Sequence, residues 1–470
     1  MEPMKLRHAV LAALLAACAA HAADSCESLA SLSLPQVTMQ AKFEPAGSLK
    51  YPDGKPVKGI PDFCHVAGSI KPSSDSDIQF EVWMPAPEKW NGRFKGIGNG
   101  GFAGAIDYPQ LGLAVAAGYA AAATDTGHKA SGTDASWALD HPEKIIDFGY
   151  RAIHLTAVNA KSILKAYYGK PARYSYFESC SNGGRQALME AQRYPEDYDG
   201  IMAGAPANNW THLLANAAAN VQALSGKGSY IPKAKLAAIE AAGLAACDAA
   251  DGSKDGLISD PTRCRFNPGK LLCKGAETDA CLTAPQVKAL KVLYTGARAS
   301  GGAQIFPGYP PGCEAQAGAW PIWITGTDLE HSLMYIFSTQ FFKNMVFNDP
   351  NWNIRNFNLD RDLKIADRKM ASILNATDPD LSRFKARGGK LILYHGWCDA
   401  AIAAGSSIEY YNSVKAKLGA EAAGSFMRLV MVPGMLHCGG RGNPAGRLAQ
   451  ELVRWVEDGV APEESVPGAR

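Results

Sequence analysis

The sequence predicts an α/β protein: a mostly parallel sheet covered by helices, with a large domain inserted between two of its later strands. Two observations lead there. Strand-like and helix-like segments alternate up to residue 207 and again from residue 386, the pattern of a parallel sheet whose connections pack on both faces. Between them, residues 208–385 break the rhythm with clustered cysteines, an Asp/Gly-rich loop, the Pro/Gly-rich "FPGYPPGCE" and the aromatic-rich "WPIWITG" and "MYIFSTQFFKNMVFNDPNWN". The chain of 470 residues has room for such a core and its insertion.

The N-terminus reads as a targeting segment rather than as fold. Lys5, Arg7 and His8 precede the apolar run "AVLAALLAACAA", and "AHA" at 20–22 offers small residues for cleavage before Ala23. That makes 1–22 a signal peptide. The competing reading is "LAAC" at 15–18, a lipoprotein box that would end the signal before Cys18 and anchor the protein through it. Either way the expected location is secreted or periplasmic. No later apolar stretch approaches the about 20 residues of a membrane span.

The core then runs over 23–207. Residues 77–85, 92–98 and 119–125 read as strands, and 142–169 carries apolar residues at helical spacing up to a closing glycine. Strand "YSYFES", a Gly-rich turn, helix "RQALMEAQRY" and strand "DGIMAGAP" follow. The second part of the core, 386–470, holds strand "KLILYHG", helix "SIEYYNSVKAKLG", strand "FMRLVMVPG" and helix "AGRLAQELVRWVEDG".

Charge and cysteine content narrow the function. A formal charge of +2 leaves no polybasic footprint for nucleic acid. Without Cys18, ten of the eleven cysteines remain, an even number that in an exported chain indicates disulfides. No CxxC pair favours zinc.

"YFESCSNGG" (176–184) runs strand, tight turn, helix. A serine on such a turn projects its hydroxyl above the sheet, and the following helix N-terminus favours developing negative charge. Ser181 is therefore the candidate nucleophile, with small residues Ser179 and Gly183 at the flanking positions. The plainer reading is a Gly-rich turn without chemistry. A serine nucleophile needs a base and an orienting carboxylate, and in α/β-hydrolases these follow in the order acid, then histidine, after late strands. "LILYHGWCDAAI" puts Asp399 just past a strand, and "LVMVPGMLHCGG" puts His437 after the next. His437 is the only histidine downstream of Asp399. Asp399 could instead cap the helix that follows. His395 reads as a packing or hydrogen-bonding neighbour, not as the base. Cys180 precedes the serine and Cys438 follows the histidine, so hydrogen-bonded Ser181 and His437 would bring these cysteines within disulfide range.

With "CSNGG", "HGWCD" and "LHCGG" together, the chain resembles the tannase/feruloyl esterase family, to which the bacterial mono(hydroxyethyl) terephthalate hydrolase also belongs. "TDTGH", "FGYRAIH", "GAPANNW" and "PGYPPGCE" extend the resemblance over nearly the whole mature chain. It implies an α/β-hydrolase core with an inserted lid, Ser181 as nucleophile, His437 as base, Asp399 as its orienter, and a Cys180–Cys438 bond. It also implies Cys26–Cys64, Cys247–Cys264 and Cys273–Cys281. Cys313 and Cys398 remain; a fifth bond follows only by count, and Cys398 reads equally as a buried thiol.

The oxyanion hole is expected from the backbone N–H of Asn182 and of Gly101, with Gly100 next in line, in "GIGNGGFAG" (96–104). That run also fits GxGxxG with Asp125 ending the next strand, a weak dinucleotide signal in an exported chain. "CDAADGSKDGLISDPTRC" (247–264) places acidic residues at short intervals, which repel unless a hard cation sits among them. It lacks EF-hand spacing, and alone it reads as a solvated acidic turn. The resemblance implies structural Ca²⁺ held by Asp248, Asp251 and Asp255 and the carbonyls of Ser253 and Leu257.

The expected activity is that of an exported serine carboxylesterase acting on aromatic esters, free or attached to plant polysaccharide. Feruloyl esterase comes first because it is a common activity of the family, with tannase and terephthalate-monoester hydrolase as alternatives. Ile402 is expected to line the acyl pocket. Trp320, Trp323, Tyr335, Phe337, Phe341 and Phe342 read mostly as lid core, some as substrate contacts. Readings from other classes are a serine peptidase, which also uses "HGxxD" and a late histidine, and a non-catalytic polyphenol- or carbohydrate-binding protein.

Overall fold

The computed structural model describes residues 26–48 and 59–465; the segment read as a signal, with Cys18, lies outside them, as does the side chain of Asp251. Nine strands form one sheet: β1 (Val37–Glu44), β2 (Phe63–Ile70), β3 (Ile78–Pro85), β4 (Arg93–Ile97), β5 (Ala120–Thr124), β6 (Tyr174–Cys180), β7 (Gly200–Gly204), β8 (Lys390–Gly396) and β9 (Met427–Val432). Their order is β1-β2-β3-β5-β4-β6-β7-β8-β9. From β5 through β9 every neighbour is parallel, whereas β1, β2 and β3 pair antiparallel with one another and β3 antiparallel with β5.

β1 and β2 were not expected from the sequence. "VTMQAKFE" in β1 alternates half-buried and exposed positions along most of its length, the mark of an edge strand with one face on the core. The central strands β5 and β7 are buried at every position, which is why they read as short apolar runs.

The helices that cover the sheet or border the site include α1 (Tyr108–Ala116), α2 (Ala152–Tyr168), α3 (Asn182–Arg193), α4 (Trp210–Ser225), α5 (Leu333–Gln340), α6 (Gly405–Leu418) and α7 (Ala445–Asp458). The helical run expected over 142–169 is present, but a π-helical turn at Asp147–Arg151 interrupts it. Helices α2, α3 and α6 cover one sheet face through residues such as Ile163, Leu188 and Tyr411. Helix α7 packs Leu448, Leu452 and Trp455 on the other face, against Tyr176, Met202 and Ile392.

No strand of this sheet occurs between Gly204 and Lys390 among the described residues. The chain between them is built of helices and turns, and its apolar core continues into Phe102, Phe148 and Ile402 around the strand ends. Among the described residues there are five disulfides: Cys26–Cys64, Cys180–Cys438, Cys247–Cys264, Cys273–Cys281 and Cys313–Cys398. The last resolves the pair left open by the sequence and ties the insertion to the loop after β8.

Candidate active site

The loops leaving the carboxyl ends of β4, β6, β8 and β9 carry Gly101, Ser181, Asp399 and His437. All four strands are parallel, so these residues gather at one edge of the sheet. Ser181 has φ 67° and ψ −126°, a conformation held by its N–H donating to Gly204 O (2.9 Å) and its C=O accepting from Arg185 N and Ala207 N. The turn leaves no room for larger neighbours. A Cβ on Gly183 would lie 1.8 Å from Ser179 Oγ, and one on Gly184 would lie 2.4 Å from Gly204 O.

Three side chains form a continuous hydrogen-bonded line. Ser181 Oγ lies 2.9 Å from His437 Nε2, and His437 Nδ1 lies 2.7 Å from Asp399 Oδ2. The other carboxylate oxygen, Oδ1, accepts from the amides of Ala401 (2.8 Å) and Ile402 (2.9 Å). Burial opposes ionisation of Asp399, but the His437 and His395 imidazoles outweigh it and hold the carboxyl well below its usual range. An ionised Asp399 only accepts, so the proton sits on His437 Nδ1 and Nε2 is free to accept from the serine.

His395 touches the acid from behind. Its Nε2 lies 3.1 Å from Asp399 Oδ2 and 3.0 Å from Ile402 O, both acceptors, so Nε2 carries the proton; Nδ1 then accepts from Ser407 Oγ at 2.8 Å. No hydrogen bond joins His395 to Ser181. The Cys180–Cys438 bond joins the serine turn to the histidine loop with Cα atoms 5.9 Å apart.

Gly101 and Asn182 border the same recess as Ser181. Gly101 has φ +56°, and a Cβ there would lie 2.1 Å from Gly132 O, so this position accepts only glycine. Its loop is pinned to α3: Asn99 N donates to Gln186 Oε1 (2.9 Å) and Gln186 Nε2 to Asn99 Oδ1 (3.1 Å). The glycine run thus faces the serine. Asp125 is buried and accepts from Gln79 N and Gly127 N through Oδ1, which leaves it turned into the fold.

Two spaces meet at Ser181. One is an apolar recess of about 520 Å³ of empty space, its mouth included, walled by Trp210, Leu213, Leu214, Trp323, Phe337 and Ile402. The other is a broader, more polar groove of about 1690 Å³ bordered by Lys95, Asp107, Gln110, Glu178 and Asn443. Trp323 reaches the site itself, edge-on to the His437 ring at 4.9 Å. Of the insertion's other aromatics, Phe337 lines the recess, Trp320, Phe341 and Phe342 are buried in its core, and Tyr335 packs half-buried against it.

The sequence reading missed Trp210, Leu213, Leu214, Ala217 and Tyr309, which also line the recess. The first four fall at i, i+3, i+4 and i+7 on α4, a helical stripe visible in the sequence that is part of the core and also borders the recess. Arg185 was missed as well, since an arginine on a helix ordinarily faces water.

In the Asp-rich loop, Asp248 is buried and crosses the loop, accepting from Asp255 N (3.3 Å) and Gly256 N (3.1 Å); Asp255 Oδ1 accepts from Leu257 N. No lysine, arginine or histidine pairs with Asp248 among the described residues. A buried carboxylate with no cationic side chain beside it, and a second carboxylate from the same loop, is the oxygen chemistry that a hard divalent cation takes.

Known proteins resemble the chain over most of its length. The family model described as tannase and feruloyl esterase matches residues 64–468. An uncharacterized esterase of Xanthomonas campestris is 43% identical, with 97% of this chain and 86% of that protein covered. A probable feruloyl esterase B-2 of Aspergillus terreus is 34% identical over 87% of this chain and 79% of its own. The crystal structure of feruloyl esterase B from Aspergillus oryzae superposes with a TM-score of 0.85 at 30% identity, covering 94% of this chain and 91% of that one. The chain therefore belongs to the tannase and feruloyl esterase family, with an α/β-hydrolase fold and the activity class of a carboxylic ester hydrolase.

Proposed function

We propose that this is an exported serine esterase for hydroxycinnamoyl esters, with Ser181 as nucleophile, His437 as general base and acid, and Asp399 as the orienter of His437. The observation that carries it is the Asp399–His437–Ser181 line ending at the mouth of the apolar recess. Ser181 Oγ attacks the ester carbonyl as its proton passes to His437 Nε2. The oxyanion sits between the amides of Gly101 and Asn182, and the alcohol leaves with the proton from His437. Water, activated by the same nitrogen, then releases the acid.

The recess favours the feruloyl reading over its alternatives. None of its lining residues is charged, so the carboxylate of a terephthalate monoester would be buried without a partner. A galloyl ring would bring three hydroxyls to walls that are almost wholly apolar. A cinnamoyl group has the flat apolar body the walls accept. The polar groove on the other side of Ser181 suits a hydroxyl-rich alcohol such as a sugar. The test is hydrolysis of methyl ferulate, methyl gallate and mono(hydroxyethyl) terephthalate. Methyl ferulate is expected to show the highest kcat/KM by at least tenfold; a gallate or terephthalate preference would contradict the assignment.

Export fits the five disulfides, which persist in an oxidising compartment. No helix among the described residues is long and apolar enough to cross a membrane. We assign Ca²⁺ a structural role in the Asp-rich loop, held by Asp248, Asp251 and Asp255 with the carbonyls of Ser253 and Leu257, where it would neutralise the clustered carboxylates. A chelator selective for Ca²⁺ should then lower Tm by on the order of 5 °C, and added Ca²⁺ should restore it. An unchanged melt in chelator would remove calcium from the account.

A further inference from the structure

Arg185 lies one turn past Ser181 on α3 and is fully buried. Its Nε donates to Asn182 Oδ1 (2.8 Å), one terminal nitrogen to Gly149 O (2.7 Å) and Leu374 O (3.3 Å), and the other to Phe148 O (3.1 Å). The guanidinium carbon sits 4.8 Å from the centre of the Phe148 ring and 5.2 Å from that of Trp210. Every one of these partners is neutral, and no carboxylate pairs with Arg185 among the described residues. Burial, reinforced by the Arg193 charge, lowers its pKa to about 9, which leaves it cationic at neutral pH.

A buried charge without a counter-charge is among the costliest arrangements a fold can hold. In the free enzyme four oxygen acceptors and two ring faces offset that cost, and the location points to a use for the charge. Arg185 N donates to Ser181 O, its side chain holds that of Asn182, and Trp210, on which it stacks, is a wall of the recess at Ser181. The free ester is neutral. When the Ser181 Oγ–carbon bond forms, the carbonyl π pair moves onto oxygen and the proton moves to His437, so an anion appears beside the Asn182 amide.

We propose that Arg185 is a buried counter-charge to that oxyanion: a positioning residue that never touches substrate but stabilises the tetrahedral intermediates by its field and by fixing Asn182. The proposal rests on the Ser181, Gly101 and Asn182 reading above. Because the charge it answers exists only in the intermediates and their transition states, its effect falls on kcat rather than KM.

Four variants test it, each measured for kcat and KM on methyl ferulate, for inhibition by an aryl boronic acid, which forms an anionic adduct on serine, and for Tm. Arg185→Met is expected to lower kcat about 10- to 100-fold with KM within twofold, and to weaken the boronic acid by a similar factor. Arg185→Lys, which keeps the charge, should recover most of that loss. Asn182→Asp keeps the bond to Arg185 and neutralises it, so it should melt no lower than the parent yet lose at least tenfold in kcat. Its own carboxylate also repels the oxyanion. If Arg185→Met fails to fold, Arg185→Gln, neutral and still a donor, therefore decides the matter, a parental kcat there overturning the proposal. Folded Arg185→Met or Asn182→Asp with parental kcat and boronic acid affinity would overturn the proposal, as would equal losses in the Lys and Met variants. A parent enzyme that turns over no ester overturns the Ser181 reading itself; turnover with unaffected variants overturns only the role of Arg185.

Discussion

Ser181→Ala is expected to lower kcat by about 10⁶-fold while leaving the fold in place. The backbone that shapes the turn does not depend on the hydroxyl: Ser181 N donates to Gly204 O, and Ser181 O accepts from Arg185 N and Ala207 N. Among the described residues the Oγ bonds only His437 Nε2. Its removal should therefore leave Tm within a few degrees and substrate binding close to normal, with the loss confined to the chemical step. Stopped-flow and long-time hydrolysis of methyl ferulate, beside a thermal melt, measure both. Activity within a hundredfold of the parent would mean that another group attacks the ester.

Asp399→Asn is expected to cost about 10⁴-fold in kcat, through the proton on His437 rather than through lost contacts. The amides of Ala401 and Ile402 both donate to Oδ1, so the asparagine oxygen is held there. Its NH₂ must then take the Oδ2 position, facing His437 Nδ1 and His395 Nε2. A donor opposite Nδ1 favours the tautomer protonated on Nε2, which cannot accept the proton of Ser181. The imidazole N–H resonance of His437 in proton NMR checks the tautomer, and single-turnover kinetics check the rate. A variant with a retained Nδ1 proton and a near-parental rate would contradict this use of the acid.

The residues proposed for chemistry were legible because each stands where the chain leaves a strand. "YFESCSNGG", "LILYHGWCD" and "LVMVPGMLHC" show apolar strands running straight into Ser, Asp and His, and parallel strands deliver their ends to one edge. The central strands were legible for the same reason, being buried on both faces. β1 was not, since its alternating pattern lies before the first long apolar run and it pairs only with β2. The Cys313–Cys398 bond could not be read, because sequence counts cysteines without saying which meet. The recess was half legible. Its aromatic content was visible in the insertion, but α4 brings its apolar stripe to Ser181 only through tertiary packing. Arg185 was hidden by expectation, as nothing in "NGGRQALMEAQR" marks one arginine as buried.

The measurement that tests the account most directly is intact-mass and peptide-mass analysis of enzyme quenched during turnover of a slowly hydrolysed ferulate ester. The account predicts a feruloyl adduct on the peptide bearing Ser181, absent in Ser181→Ala and discharged by water in the parent. Steady turnover with no adduct on that peptide, or an adduct on another residue, would contradict the acyl-enzyme on Ser181.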